Sequence, residues 1–133
     1  MERIFVVGKG DCDRFGLVRY RRYLDWVHET RAAFMQELGA GDDLLASKGI
    51  DMVTVNLDLH NLEACFERDE VIVTPTLDKA MDHAVHFTYT GKARRTGKTI
   101  FIAHIEMYPI SAEGRLMRFP PEIADHLLNQ IGA

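Results

Sequence analysis

The sequence predicts an α+β fold in which one long helix lies against an antiparallel sheet. Two observations carry that prediction. An apolar stripe at spacings of three and four (Tyr23, Val27, Thr30, Phe34 and Leu38, with Trp26 and Ala33) runs between Asp25, His28, Glu29, Arg31, Gln36 and Glu37, the pattern of an amphipathic helix. Four stretches of β character then follow in succession with no helical period between them, which is not the alternation that builds a parallel βαβ sheet. With a first short strand ahead of the helix, the economical arrangement is a five-stranded sheet wrapped around a long central helix.

Each element has its own signal. Ile4 to Val7 is a short, partly β-branched run that reads as the first strand, stopped by Gly8-Lys9-Gly10-Asp11-Cys12-Asp13, where Gly and Asp favour turns. The helix starts at about Tyr20 and stops at Gly39 and Gly41. Val53, Val55, Leu57 and Leu59 alternate with Thr54, Asn56, Asp58 and His60, which predicts a strand with one buried face. Val71 to Thr74 predicts another, and Val85, Phe87 and Tyr89 alternating with His86, Thr88 and Thr90 a third. Thr99 to Tyr108 is longer and apolar on both faces at Ile100-Phe101-Ile102, as a central, covered strand is. Arg94 to Lys98 forms the hairpin loop before it. Pro120-Pro121-Glu122 opens a short C-terminal helix, with proline where its missing N–H does no harm.

Composition narrows the class of protein. The chain has 133 residues, 47% hydrophobic and 27% charged, the balance of a globular domain rather than a disordered or fibrous chain. A single domain over residues 1–133 is expected. A folded chain of this length buries roughly two-thirds of its unfolded surface, so its core needs no metal or crosslink. Its 16 Lys and Arg against 20 Asp and Glu give a net charge of −4, a poor basis for binding nucleic acid through phosphates. Cys12 and Cys65 cannot form a disulfide framework. No apolar run is long enough for a membrane span, and Met1 to Val7 is too short and mixed for a secretory signal. A cytoplasmic protein with no nucleic-acid or membrane partner is expected.

Two apparent motifs do not survive their own geometry. Gly97-Lys98-Thr99 resembles the end of a phosphate-binding loop with Gly91 upstream, but five residues separate the glycines where the motif needs four, and a strand follows instead of a helix. His83 and His86 are three apart on a predicted strand, so they face opposite sides and cannot converge on a metal. The remaining histidines are scattered.

The segment Gly10 to Tyr23 holds the chemistry. Asp13 sits in a turn, Gly16 permits a tight backbone, and the long helix begins a few residues later. The first turn of a helix presents unpaired N–H groups and partial positive charge. A carboxylate near such an end has the parts of a nucleophile or base beside amides that polarise a carbonyl. The same Asp13 would equally serve as a helix cap or close an Asx-turn. Arg14, Arg19, Arg21 and Arg22 make this the most basic stretch of the chain: either a solvated rim or a guanidinium cluster for a substrate's phosphate or carboxylate. Arg94, Arg95 and Lys98 form a second cationic group at the hairpin. Tyr23, Trp26 and Phe34 are expected in the core, and Cys12 is a bystander.

This segment resembles the hot-dog-fold acyl-CoA thioesterases of the 4-hydroxybenzoyl-CoA thioesterase type. The matching run is Asp13-Arg14-Phe15-Gly16-Leu17-Val18-Arg19-Tyr20, followed by Tyr23. Two weaker echoes support it: Glu67 to Val73, like the acidic turn before the family's third strand, and Ala112 to Ile123, like its Gly-Arg … Arg-Leu-Pro ending. The resemblance implies a hot-dog domain, with Asp13 as the reactive carboxylate and the backbone amide near Tyr20 as the group that polarises the thioester oxygen. It places Gly16, Arg19, Arg22 and Tyr23 at the substrate. It implies neither metal nor cofactor, although Asp11 and Asp13 have an Asp-x-Asp spacing. Its substrate would be an acyl-CoA or an acyl carrier protein, and its assembly a homo-oligomer, either a dimer or a dimer of dimers. Three positions depart from the pattern: Arg22 stands where relatives usually carry Asn, Leu17 replaces a β-branched residue, and Lys79-Ala80-Met81-Asp82 keeps one cation of the basic run that grips the CoA nucleotide. The departures leave two rival readings, a hot-dog binding subunit without hydrolysis and a dehydratase or cyclase. The latter would want His where Tyr20 stands.

Overall fold

The structure, a computed structural model, describes residues 1–131. Of the single domain expected over 1–133, residues 132 and 133 lie outside the described residues. The elements in order are β1 (Arg3–Val6), a 3₁₀ turn (Lys9–Asp11), α1 (Tyr20–Glu37), α2 (Asp42–Ser47), β2 (Asp51–Asn61), β3 (Glu70–Met81), β4 (Ala84–Ala93), β5 (Thr99–Ile110) and α3 (Pro121–Leu128). The strands form one five-stranded antiparallel sheet in the order β1-β3-β4-β5-β2. The α+β class, the helix start at Tyr20, the hairpin at Arg94–Lys98 and the proline-led α3 are as the sequence predicts. β5 is an inner strand, flanked by β4 and β2, as its doubly apolar stretch requires.

The differences have physical causes. β3 runs well past Thr74, through Pro75, to Met81. β1 pairs only with residues 70–73 (Arg3↔Val73 to Val6↔Glu70), so Pro75 falls beyond that ladder. α2 has only six residues between two glycine-containing segments, too short for a helical period to register. The expected buried face of β2 needs correcting. The strand forms, but Val55 and Leu57 remain 45% and 41% exposed. β2 is an edge strand, and its alternating apolar residues are only partly covered within this chain.

The contacts divide into two compact units. The first comprises Met1–Arg31, Leu59–Pro75 and Tyr89–Ala103. In it the N-terminal half of α1 packs by aromatic stacking: Tyr23 lies on Phe101 of β5 at 4.9 Å between ring centroids, and Trp26 lies on Phe5 of β1 at 5.4 Å. Gly91 of β4 sits beneath the Phe101 ring, where a Cβ would come within 2.2 Å of it. The glycine that looked like part of a phosphate loop is therefore a packing position. Gly97-Lys98-Thr99 closes the β4–β5 hairpin, with Ala93 N bonded to Lys98 O and Gly97 N to Ala93 O.

The second unit comprises Ala32–Asp58, Thr76–Thr88 and His104 onward. Phe34 of α1 meets Phe87 of β4 edge-on, among buried Met35, Leu38, Leu45, Leu77, Ile123 and Leu127. Gln130 Nε2 donates to Leu38 O, tying the end of the chain to the end of α1. His83 lies in the turn between β3 and β4 rather than on the predicted strand, and its partner is Asp82, whereas His86 on β4 is paired with Glu106.

Candidate functional site

Asp13 closes an Asx-turn. Its Oδ1 accepts the amides of Phe15 (2.8 Å) and Leu17 (3.1 Å), and its own N–H donates to Leu17 O at 2.7 Å. Gly16 takes φ +81°, a left-handed conformation that a side chain would strain, so the glycine is what lets five residues double back this tightly. Neither Oδ1 bond involves Oδ2, the second oxygen of the carboxylate. The turn is stitched into the first unit by antiparallel bridges, Cys12 to Val18 and Leu17 to Phe66, and by Val18 N donating to Cys65 O. The segment before β3 is itself a turn: Asp69 Oδ2 accepts the amide of Phe66, and Arg68 adopts φ +75°. The acidic turn anticipated from the sequence is thus a direct neighbour of the Asp13 loop.

A hollow of about 440 Å³ opens beside this loop. Its lining includes Asp13, Arg19, Tyr20, Arg21 and Tyr23 from the anticipated segment. Four of the six sequence-predicted site residues therefore share one wall system. Gly16 shapes the turn without lining the hollow, and Arg22 lines a smaller one of about 210 Å³ with Asp11, Arg19, Arg21 and Asp25. The hollow also takes Asn61, Ala64 and Cys65, which sequence reasoning missed. They arrive through long-range pairing, and their only advance signal was the acidic turn that follows them.

The chemistry available here is narrow. Tyr23 is almost fully buried, its hydroxyl 3.4 Å from Cys65 Sγ, and burial followed by that hydrogen bond pushes its phenol well above the ordinary range. Burial likewise raises the Cys65 thiol. Cys12 is raised by burial and then by the carboxylates of Glu67, Asp11 and Asp13. Neither thiol is a ready thiolate nucleophile. Among the described residues no group of three or more His, Cys, Asp and Glu is arranged to hold a metal ion.

The start of α1 lines the same hollow as the carboxylate. The first amides of α1 have no carbonyl one turn back to bond. Arg19 N is taken by Asp11 O and Arg22 N by Arg19 O, so Tyr20 and Arg21 carry the donors left over at the helix start. The Tyr20 side chain is 61% exposed. The arginines are not equivalent. Arg22 is held between Asp11 and Asp25, Arg19 donates to Gly10 O, and Arg14 lies over the Phe15 ring at 4.7 Å.

Comparison with known proteins decides the family. The thioesterase-like superfamily model matches residues 7–127. The chain belongs to the thioesterase-like superfamily. Its activity is that of an acyl-thioester hydrolase, and its fold is the hot-dog fold. Among similar solved structures, a 1,4-dihydroxy-2-naphthoyl-CoA thioesterase from Synechocystis is 16% identical with a TM-score of 0.83, covering 96% of this chain and 94% of that one. A DHNA-CoA thioesterase from Staphylococcus aureus is 16% identical with a TM-score of 0.85, covering 94% and 86%. A probable thioesterase from Escherichia coli, YbaW, is 18% identical with a TM-score of 0.82, covering 98% of both chains. No protein of curated function matches in sequence. No helix of this thioesterase among the described residues is long and apolar enough to cross a membrane.

Proposed function

We propose that this thioesterase hydrolyses an acyl group carried on a phosphopantetheine arm, on acyl carrier protein in preference to CoA, with Asp13 as the reactive carboxylate and the α1 amides at Tyr20 as oxyanion donors. The observation that supports this reading is the shared hollow of about 440 Å³, walled by Asp13 and by the first residues of α1. Asp13 adds to the thioester carbonyl, or takes the proton from a water that does. Negative charge then develops on the carbonyl oxygen, where the helix amides stabilise it. Collapse breaks the C–S bond, and the arm leaves as a thiol after gaining a proton. In the first route water then opens the acyl-aspartyl anhydride. Oxygen-18 from solvent appearing on Asp13 after a single turnover identifies that route. Gly16 holds the turn, Tyr23 forms a rigid wall, and Arg19 and Arg21 meet the anionic arm.

The similar structures from Synechocystis and Staphylococcus aureus are named for CoA thioesters. The preference for a carrier protein rests on charge placement in this chain. A carrier arm bears one phosphate and belongs to an acidic protein, a partner suited to a guanidinium rim that steers encounter. Lys79, the one cation kept from the family's nucleotide-gripping run, lines a hollow among Asp58, Asp78 and Glu106, a poor setting for a nucleotide phosphate. We also propose that the chain works as one catalytic domain in the cytoplasm, as a homodimer or dimer of dimers paired along β2.

The test is kcat/KM for one acyl group on carrier protein, on CoA and on bare pantetheine, at low and high salt. The carrier should lead at low salt, and its lead should shrink with salt or with Arg19→Ala and Arg21→Ala, because rim charges act through encounter rate. A CoA preference that survives both changes overturns the carrier assignment. Tight binding of every thioester with no hydrolysis would return the protein to the binding-subunit reading.

A further inference from the structure

Asp11 lies outside the motif that identifies the site, and Arg22 departs from it, yet the structure joins the two. Arg22 Nε lies 2.7 Å from Asp11 Oδ1, a close ion contact that is not well directed as a hydrogen bond, and Arg22 Nη1 donates to Asp25 Oδ2 at 3.1 Å. The other Asp11 carboxylate oxygen accepts the amide of Gly8 at 2.8 Å, and the Asp11 backbone carbonyl accepts Arg19 N at 3.0 Å. Arg19 Nη1 reaches Gly10 O at 3.2 Å. The loop leading into Asp13 is therefore fastened to the first turn of α1 on one side, while its Asx-turn is fastened internally on the other. Asp11 is the residue common to three of these ties.

The placement matters because Asp13 and the helix amides must address the same carbonyl from separate chain segments. A displacement of about 1 Å between reacting groups costs up to ~100-fold in rate. Charge matters too. Asp11 is two residues from Asp13, and without a counterion it would add negative charge where an oxyanion has to develop. Arg22 supplies that counterion. Other charges near Asp13 are Arg14, Arg19, Arg21 and, across the Leu17–Phe66 bridge, Glu67.

We propose that Asp11 and Arg22 form a positioning clamp that sets Asp13 against the N-terminus of α1 and neutralises the second carboxylate beside it. Arg22 is then a positioning residue rather than a contact to the substrate. The inference rests on Asp13 being the reactive carboxylate, and the experiment separates the two claims.

The experiment measures kcat and KM across pH, on a thioester that the wild type hydrolyses, for Arg22→Gln, Asp11→Asn, the double variant, Arg22→Lys and Asp13→Asn, with folding followed by circular dichroism. Arg22→Gln should lower kcat about 10-fold with KM within about 2-fold, and should move the acid limb of the pH profile upward, because Asp11 is left unneutralised. Arg22→Lys should recover part of kcat. The double variant should be no slower than Arg22→Gln and should return the acid limb to its wild-type position, since coupled residues do not add. A rise in KM with kcat intact makes Arg22 a substrate contact and overturns the clamp, as does strict additivity in the double variant. If Arg22→Gln fails to fold, Asp11→Asn with Arg22→Lys decides: kcat unchanged in both overturns the clamp. Loss of activity in Asp13→Asn alone leaves the catalytic reading standing while the clamp falls. Full activity in Asp13→Asn removes both.

Discussion

Asp13 closes the Asx-turn that the sequence allowed, and its place beside the hollow is what the proposed catalytic role requires. One oxygen closes the turn through Phe15 and Leu17, and the carboxylate also borders the hollow beside α1. A side chain locked by two amides has lost its rotamer freedom before substrate arrives, so on the proposed reading the turn also pre-positions the reactive group. Asp13→Asn should therefore preserve much of the turn, because the amide oxygen accepts the same two N–H bonds. It loses both the nucleophile and the base, so kcat should fall by roughly 10²–10⁴ or more with little change in melting temperature. Asp11→Asn should cost much less. Steady-state rates and thermal melts of the two variants check this, and equal small losses in both would remove Asp13 from the reaction. The acid, the glycine and the helix start could be seen locally in the sequence. Asn61 and Cys65 could not, because they reach the hollow only where segments distant in the sequence come together, which no local period encodes.

At the scale of elements, what was legible depended on how many residues repeat a pattern. α1 and β5 carry long periods and were read with their type and approximate span. α2 has six residues and was missed, and β3 was cut short at Pro75, whose tolerance depends on where β1 stops pairing. Gly91 is the converse case: the phosphate-loop pattern rejected on spacing carries no chemistry, and packing against Phe101 is the reason for the glycine. Phe101 is fully buried and stacked on Tyr23, so its ring cannot swing away from an added methyl. Gly91→Ala should destabilise the fold by about 1–3 kcal/mol, the usual cost of overpacking. Because Tyr23 borders the hollow, activity should fall with it. Denaturant melts test this, and an unchanged midpoint would show that the strand yields more easily than the packing implies.

For the whole molecule, the decisive feature is the free edge of β2. It is an edge strand of eleven residues with Val55 and Leu57 exposed, and neither proline nor lysine lies within it. Long, partly apolar edges invite strand pairing, and proteins that remain monomeric usually blunt them with charge, proline or a bulge. Antiparallel pairing of β2 with its copy would satisfy the unpaired amides and carbonyls and cover both apolar side chains around a twofold axis. The formal charge of −4 per protomer opposes this weakly and is screened at ordinary salt. The wild type should therefore scatter light as a dimer or larger at micromolar concentration. Val55→Lys with Leu57→Lys should shift it toward monomer by placing like charges face to face across the pairing. Activity should fall together with assembly if each hollow is completed by the partner copy. A wild-type monomer with full activity would show that one chain suffices, and that the exposed edge of β2 serves some purpose other than self-pairing.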